Sequence, residues 1–276
     1  MGCKKSKQKV KNKMKIIDFH THIYPEKIAK KAAEAVCAYY SLKEGMEGTS
    51  SLLLEKGKEA GISSFVLLPV ATKAENVRSI NNFILDEVKK HEEFFGFGTL
   101  HVDLGEQGFL SETDYIIQNG LKGIKFHSDQ QKTAIDDERL FPLYDYLQDK
   151  IPVLFHCGDP VSNLSHPERL KKVLKTFPRL NVIAAHLGGW SLFEEAVYIL
   201  KGQRFYYDIS SCLYFLSPEK LKSYIDIYGA ENGLFGSDFP MWNPVKEVER
   251  FNRIPLSSAE RELIAYKNAE RVLNLI

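Results

Sequence analysis

The stretch KIIDFHTHIYP, residues 15–25, decides how the rest of the chain is read. Ile16, Ile17 and Phe19 form an apolar run that reads as a buried strand, and the run ends on two histidines one residue apart. A buried strand gains nothing from imidazoles that lack partners. Strand side chains alternate between faces, so His20 and His22 point the same way. Two imidazoles on one face, near the C-terminal end of a strand, can hold one metal ion if the rest of the chain supplies further ligands.

Seven further apolar runs follow, at 63–70, 94–102, 123–128, 152–158, 181–189, 205–210 and 233–240. Amphipathic segments separate them. Residues 74–91 carry apolar side chains at 77, 80, 84, 85 and 88, close to helical spacing. The segment 217–229 opens on Ser and Pro and closes on Gly, and 166–178 is similar; 257–276 predicts one closing amphipathic helix. Eight strands alternating with helices predict a (β/α)8 TIM barrel, a single α/β domain over residues 14–276. An open doubly wound sheet would need a glycine-rich phosphate turn after its first strand, and HTHIYP is not one.

Composition agrees with such a domain. The chain has 276 residues, 44% of them hydrophobic, enough for an ample core. No apolar run reaches membrane-spanning length. The four cysteines, Cys3, Cys37, Cys157 and Cys212, form no CxxC pair, which predicts free thiols in a reducing, cytoplasmic setting. Net charge is +1, but residues 1–15 hold seven lysines and no acid, leaving 30 basic against 36 acidic residues in the remainder. An acidic body argues against nucleic acid as a partner. Residues 1–13 read as a disordered basic leader. Its start, MGCKKS, also matches an N-myristoylation pattern on Gly2, so a membrane is a partner only if that leader is lipidated. The expected partner is a small-molecule substrate, bound by a monomer or a homodimer.

Polar residues interrupt the apolar runs at one end. His20 and His22 lie on the first strand, Lys125 and His127 on the fourth, His156 on the fifth, His186 on the sixth, Asp208 on the seventh and Asp238 on the eighth. Barrel active sites are built at C-terminal strand ends. A lone strand histidine is more often a hydrogen-bonded core residue, Asp238 alone could cap the turn before Pro240, and Lys125 alone could be a structural ion pair. Together these readings require several unrelated buried polar groups at the same barrel end. One shared metal site accounts for all of them, and a borderline ion such as zinc accepts imidazole and carboxylate together.

The pieces DFHTH, GIKFH, PVLFHCG, AHLGG and FGSDFP, with NAERVL near the end, resemble the amidohydrolase superfamily. The similarity is to its branch of metal-dependent aromatic and amino-carboxymuconate-semialdehyde decarboxylases. The resemblance implies that His20, His22, His156 and Asp238 bind one divalent ion, zinc or else manganese. It also implies that His186 is the acid/base beside that ion, with Asp238 taking a proton from bound water. Binuclear relatives carboxylate a strand-four lysine, so Lys125 is either a bridging ligand or a charged contact, with His127 on the same face. Trp190, Phe239 and Trp242 are candidate substrate contacts at an aromatic mouth that also holds Tyr24, Tyr214 and Met241. No arginine directly follows any of the eight strands to hold a carboxylate. The expected reaction is therefore hydrolysis of a small cyclic amide, ester or lactone by metal-activated water. The alternative is nonoxidative decarboxylation of a small aromatic or unsaturated acid. A catalytically inactive metal-binding barrel is the third reading.

The lysine periodicity of the leader gives it no apolar face to pack. Deleting residues 1–13 should leave the melting temperature nearly unchanged. A loss of several degrees, on the order of a kcal/mol for a domain this large, would show that the leader packs on the body.

Overall fold

The computed structural model describes residues 14–42 and 45–275, so the leader expected at 1–13 lies outside the described residues. Its strands are β1 (Ile17–Thr21), β2 (Ser64–Leu67), β3 (Phe94–Gly96), β4 (Gly98–Thr99), β5 (Ile124–Phe126), β6 (Val153–Phe155), β7 (Val182–Ala184), β8 (Tyr206–Asp208) and β9 (Gly233–Leu234). All pair in parallel, β1 to β3 in one run and β4 to β9 in another. The chain continues from β3 to β4 through Phe97, whose N–H donates to Leu67 C=O at 3.0 Å, while Gly98 N–H turns to Gly123 C=O at 2.8 Å. The remaining gap closes where Phe19 N–H donates to Phe235 C=O and Asp238 N–H to His20 C=O, both at 2.8 Å. β3 and β4 thus share one position in the expected eight-position barrel.

Alternation along the strands sorts the side chains into two layers. Ile17, Phe19, Val66, Phe97, Leu154, Ile183 and Leu234 pack together inside the barrel. Ile124, Phe126, Val153 and Phe155 belong to the layer between strands and helices. Lys125, between two outward residues, is thereby turned inward and fully buried. β1 breaks the rule. Asp18 and Thr21 pair with Phe65 and Leu67, so three steps on β1 match two on β2. That bulge lets Phe19 face the interior while His20 and His22 still turn to the mouth.

The helices are α1 (Ala29–Tyr39), α2 (Ser50–Ala60), α3 (Val77–Lys90), α4 (Gly105–Gln118), α5 (Ser128–Gln131) and α6 (Phe141–Leu147). They continue with α7 (Pro167–Thr176), α8 (Phe193–Leu200), α9 (Pro218–Tyr228), α10 (Pro244–Arg253), α11 (Ser258–Glu262) and α12 (Asn268–Val272). The expected caps form: Ser217 accepts from Lys220 N–H at the start of α9, and His166 from Glu168 N–H at α7. The closing helix is not continuous as expected, because a π turn at Leu263–Lys267 separates α11 from α12. The wide turn leaves Ile264 C=O to accept Phe235 N–H at 2.9 Å. Beside it, Asn268 Nδ2 donates to Ala230 C=O at 2.8 Å and Gly233 C=O at 2.7 Å. The helix gives up regularity to satisfy the end of β9. Among the described residues, no helix is long and apolar enough to cross a membrane.

A second amide secures the break after β3. Asn81 of α3 is fully buried. Its Oδ1 accepts Thr99 N–H at 2.8 Å, and its Nδ2 donates to Thr99 C=O at 3.1 Å and Glu112 Oε1 at 2.8 Å. Asn81→Leu strands all three groups. Each buried orphan costs about 1–3 kcal/mol, and about 1 kcal/mol moves the midpoint of a domain this size by roughly 2–4 °C. Thermal denaturation should therefore show a fall of roughly 6 °C or more; a smaller change would mean that water replaces the amide.

Candidate active site

The loops that follow the strands carry the polar set. His20 and His22 leave β1, Lys125 sits in β5, and His127 follows β5 directly. His156 follows β6, His186 opens the turn after β7, Asp208 ends β8, and Asp238 lies past β9. The mouth takes five of the eight histidines; the other three lie at His91, His101 and His166. His101 and His166 each cap a helical turn through an accepting ring nitrogen.

In four of the five mouth imidazoles, one ring nitrogen faces a fixed acceptor. His20 Nδ1 lies 2.8 Å from Asp208 Oδ2, and His22 Nδ1 lies 2.6 Å from Leu68 C=O. His186 Nδ1 lies 2.9 Å from Ser210 C=O, and His156 Nε2 lies 2.9 Å from Gly158 C=O. Gly158 supplies that carbonyl at φ +83°, with its Cα against the Trp190 backbone where a Cβ would clash. Carboxylates and carbonyls only accept, so these four nitrogens carry the protons. The opposite nitrogens must then present lone pairs.

Those lone pairs converge. His20 Nε2 and His22 Nε2 are 3.2 Å apart, and Asp238 Oδ1 lies 3.6 Å from the first and 3.3 Å from the second. His156 Nδ1 and His186 Nε2 face each other at 3.2 Å. Lys125 Nζ, 3.5 Å from His20 Nε2, is the one donor at the set. Facing acceptors with no proton between them repel, and a cation relieves all of them together, so the donor set fits a divalent metal. His20, His22 and Asp238 form one group able to hold an ion, each offering an atom within 4.8 Å of the others. His156 is turned toward His186 and stands outside that group.

Charge follows the same arrangement. Burial pulls the His20 imidazole down to about 4, aided by Lys125 and opposed by Asp208 and Asp238. Burial, then neighbouring rings and Lys125, holds His127 and His156 well below the usual imidazole range. Burial also lowers Lys125 to about 8, against the pull of Asp208 and Asp238. Burial alone would raise the Asp238 carboxyl, but His20, His22 and His186 hold it well below the carboxylate range. Asp208 behaves likewise: burial is outweighed by His20, His186 and Ser210, which keep it at about 2.

A model of the amidohydrolase family matches residues 17–275. The chain belongs to the amidohydrolase family. No curated protein sequence matches it. Its fold is shared with solved barrels of low sequence identity. An uncharacterized TIM-barrel protein of Bordetella bronchiseptica superposes with TM-score 0.79 at 23% identity, over 95% of this chain and 99% of that one. The 2,6-dihydroxybenzoate decarboxylase of Rhizobium gives TM-score 0.73 at 18% identity, over 95% and 99%. The 5-carboxyvanillate decarboxylase of Novosphingobium aromaticivorans, complexed with manganese, gives 0.73 at 14% identity, over 95% and 96%.

This amidohydrolase barrel opens into a cavity of about 610 Å³ with the histidines at its floor. Of the expected contacts, Lys125, His127 and Trp190 line it, as do Tyr24 and Met241. Phe239 and Trp242 do not. Phe239 is fully buried and serves the site through its backbone, its C=O accepting His22 N–H at 2.7 Å. Trp242 Nε1 donates to Ser211 Oγ at 2.8 Å, and Ser211 in turn holds Asp238 Oδ2. Trp242 therefore fixes a carboxylate rather than a ligand. Lys73 is exposed and outside the cavity.

Several residues have roles that the motif reading did not assign. Asp208 accepts His20 Nδ1–H, His186 N–H at 3.0 Å and Ser210 N–H at 3.0 Å, and so positions two ring-bearing loops. Asp18 Oδ1 accepts Ser237 N–H at 2.8 Å and ties β1 to the loop that carries Asp238; burial pushes this carboxyl up to about 7. Gln131 clamps three mouth loops, donating to Ala71 C=O and Leu100 C=O and accepting His127 N–H. Tyr40, just past α1, places its hydroxyl 2.8 Å from His127 Nε2 and 3.3 Å from His156 Nε2. His127 Nδ1 faces Gln130 N–H, so Nε2 donates to the tyrosine oxygen and leaves the phenolic proton for a ligand. Burial, then Asp129 and Asp159, raises the phenol and keeps it protonated. Its sequence signal is the stripe Ile28, Ala32, Val36, Tyr40, spaced four apart.

Asp208→Asn tests the arrangement. The amide cannot accept at both ends, so His20 loses its fixed tautomer, and equilibrium dialysis should show metal affinity about 10–100-fold weaker. Three imidazoles add a pH signature to the metal-free protein. Burial holds His20, His127 and His156 below their unfolded pKa, so their contribution is present above about 6.5 and is lost as pH falls toward 4. Asp18 and Glu247, both pushed up to about 7 by burial, work the other way and add stability as pH falls through 7. Melting temperature should drop across that window, by less than the three imidazoles alone would give.

Proposed function

We propose that the protein is a metal-dependent carboxy-lyase that removes carbon dioxide from a small aromatic or unsaturated carboxylic acid. The carrying observation is the ring of four outward-facing imidazole lone pairs and Asp238 beneath an aromatic and apolar cavity. The decarboxylases whose fold this chain shares over 95% of its length support the reading. One divalent ion would be held by His20, His22 and Asp238, with His156 completing its shell. Manganese, bound in three of the similar structures, is the ion to load first, ahead of the zinc expected from ligand type. Such an ion supplies a Lewis acid that orients and polarises the acid's oxygens.

The chain's own groups do the rest. Lys125 contributes a buried positive charge beside the carboxylate. Tyr40 donates its phenolic proton to an oxygen of the substrate. His186 Nε2, which faces His156 Nδ1 at 3.2 Å, takes up from solvent the proton that the reacting carbon needs and delivers it. The bond to the carboxyl group breaks, carbon dioxide leaves, and the carbon keeps the electron pair and takes that proton. Hydrolysis of a cyclic amide, ester or lactone is the second reading, favoured by the lack of any arginine among the residues that line the cavity.

A panel of hydroxybenzoates, unsaturated acids, lactones and cyclic amides, assayed on manganese-loaded protein with carbon dioxide detection, separates the two. Carbon dioxide from an acid, lost on chelation and restored by metal, is the expected result; turnover confined to lactones or amides overturns it. His186→Asn should keep the metal and lose about 10²–10⁴-fold in kcat. Tyr40→Phe should keep the metal and lose roughly tenfold or more in kcat/KM, the worth of a hydrogen bond to a charged group.

A further inference from the structure

The cavity is larger than its polar floor requires. Cavities of about 300–1,000 Å³ enclose drug-sized ligands, and this one measures about 610 Å³. A single aromatic ring with one carboxylate would occupy the histidine end and leave the outer part empty. That outer part is walled by two helices. Ile28, Ala32 and Val36 face it from α1 and the turn before it, and Ile80, Phe83 and Ile84 face it from α3. Packing of α1 on the protein does not explain its apolar wall. The buried face of α1 is the adjacent stripe Ala29, Ala33 and Cys37, and Ile28 stays 51% exposed. The helix thus carries two apolar stripes, one seated and one open to the cavity. Among the described residues, the cavity's one lining cation, Lys125, and its one lining carboxylate, Asp238, both lie at the floor.

We propose that the substrate is a monocarboxylic acid with a neutral apolar arm, an alkyl or aryl extension pointing away from the reacting carboxyl group into the lobe between α1 and α3. A second carboxylate on that arm would meet no cation there among the described residues. Tyr40 marks the boundary: its hydroxyl faces the histidines, and its ring packs edge-on against Trp190 at 4.9 Å between centroids. The inference rests on the reading of the floor as a site for acids, and its test separates the two.

Calorimetric titration of the metal-loaded full chain with benzoate and its 4-ethyl, 4-butyl and 4-hexyl derivatives reads the lobe without turnover. Each buried methylene contributes about 0.8 kcal/mol, so Kd should fall roughly fourfold per methylene until the lobe is full. Val36→Trp should flatten the series by filling the lobe; Ala32→Phe does the same should the first variant fail to fold. A flat series in the wild type, or terephthalate binding as tightly as 4-butylbenzoate, overturns the inference while leaving the acid reading in place. Benzoates that fail to bind, with 4-alkylbenzamides that gain with chain length, overturn the acid reading and uphold the lobe. A gain in neither series overturns the lobe.

Discussion

The site depends on proton placement. An imidazole offers a metal its lone pair only if its other nitrogen keeps the proton, and that requires an acceptor fixed on the far side of the ring. Four such acceptors stand behind His20, His22, His156 and His186: the Asp208 carboxylate and the carbonyls of Leu68, Gly158 and Ser210. Three of them are backbone groups of the loops that leave the strands. A backbone carbonyl cannot reorient without moving its loop, so the barrel's rigidity is passed directly to the rings. Asp208 is the exception, a side chain, and it is secured by three further donors from His186 and Ser210. The price is a set of facing acceptors that repel in the absence of a cation.

The barrel builds the floor, and elements outside it build the rest. α1 delivers Tyr40 to the two stacked rings of His127 and His156, whose centroids lie 3.9 Å apart. It is anchored at its C-terminal end, where Tyr39 Oη reaches Asp159 at 3.1 Å and Cys37 Sγ meets Met241 Sδ at 3.6 Å. The α3 wall is secured separately, by Asn81 at the break between β3 and β4. The α3 wall therefore has a support of its own, whereas α1 is tied to the floor loops through Asp159 and Met241, so ligand preference can change at α3 without disturbing the histidines.

What the sequence made legible follows from which signals are local. Two histidines one residue apart, a histidine closing each of two apolar runs and an aspartate before Phe-Pro all announce themselves within a few residues. The alternation rule placed His20 and His22 together, and they are, but it did not show the bulge that keeps Phe19 inside as well. Partners brought together by the fold left no such trace. Asp208 and His20 are 188 residues apart in the chain, and Tyr40 and His156 are 116 apart. Trp242 looked like a ligand contact because aromatic residues gather at barrel mouths; its indole N–H instead found Ser211. The π turn in the closing helix was hidden for the same reason, since its cause is the distant N–H of Phe235.

Electrostatics connects the missing arginine to the chemistry. The ionised side chains that reach the ring nitrogens are Lys125, Asp208 and Asp238, a sum of one negative charge. A divalent cation reverses that to one positive charge in a buried space, where an uncompensated charge is costly. A single carboxylate restores neutrality without a guanidinium. Two carboxylates, or an arginine added to grip the first, would upset it. The same count explains why Lys125 is tolerated at full burial: it offsets one of two carboxylates that must stay ionised to hold a ring and an ion. A carbamate on Lys125 would invert its sign and call for a second cation between His156 and His186, whose facing nitrogens are already at 3.2 Å. On the proposed reading, the floor would balance one ion and one monoanionic ligand with a free ammonium, and two ions only once that ammonium is gone.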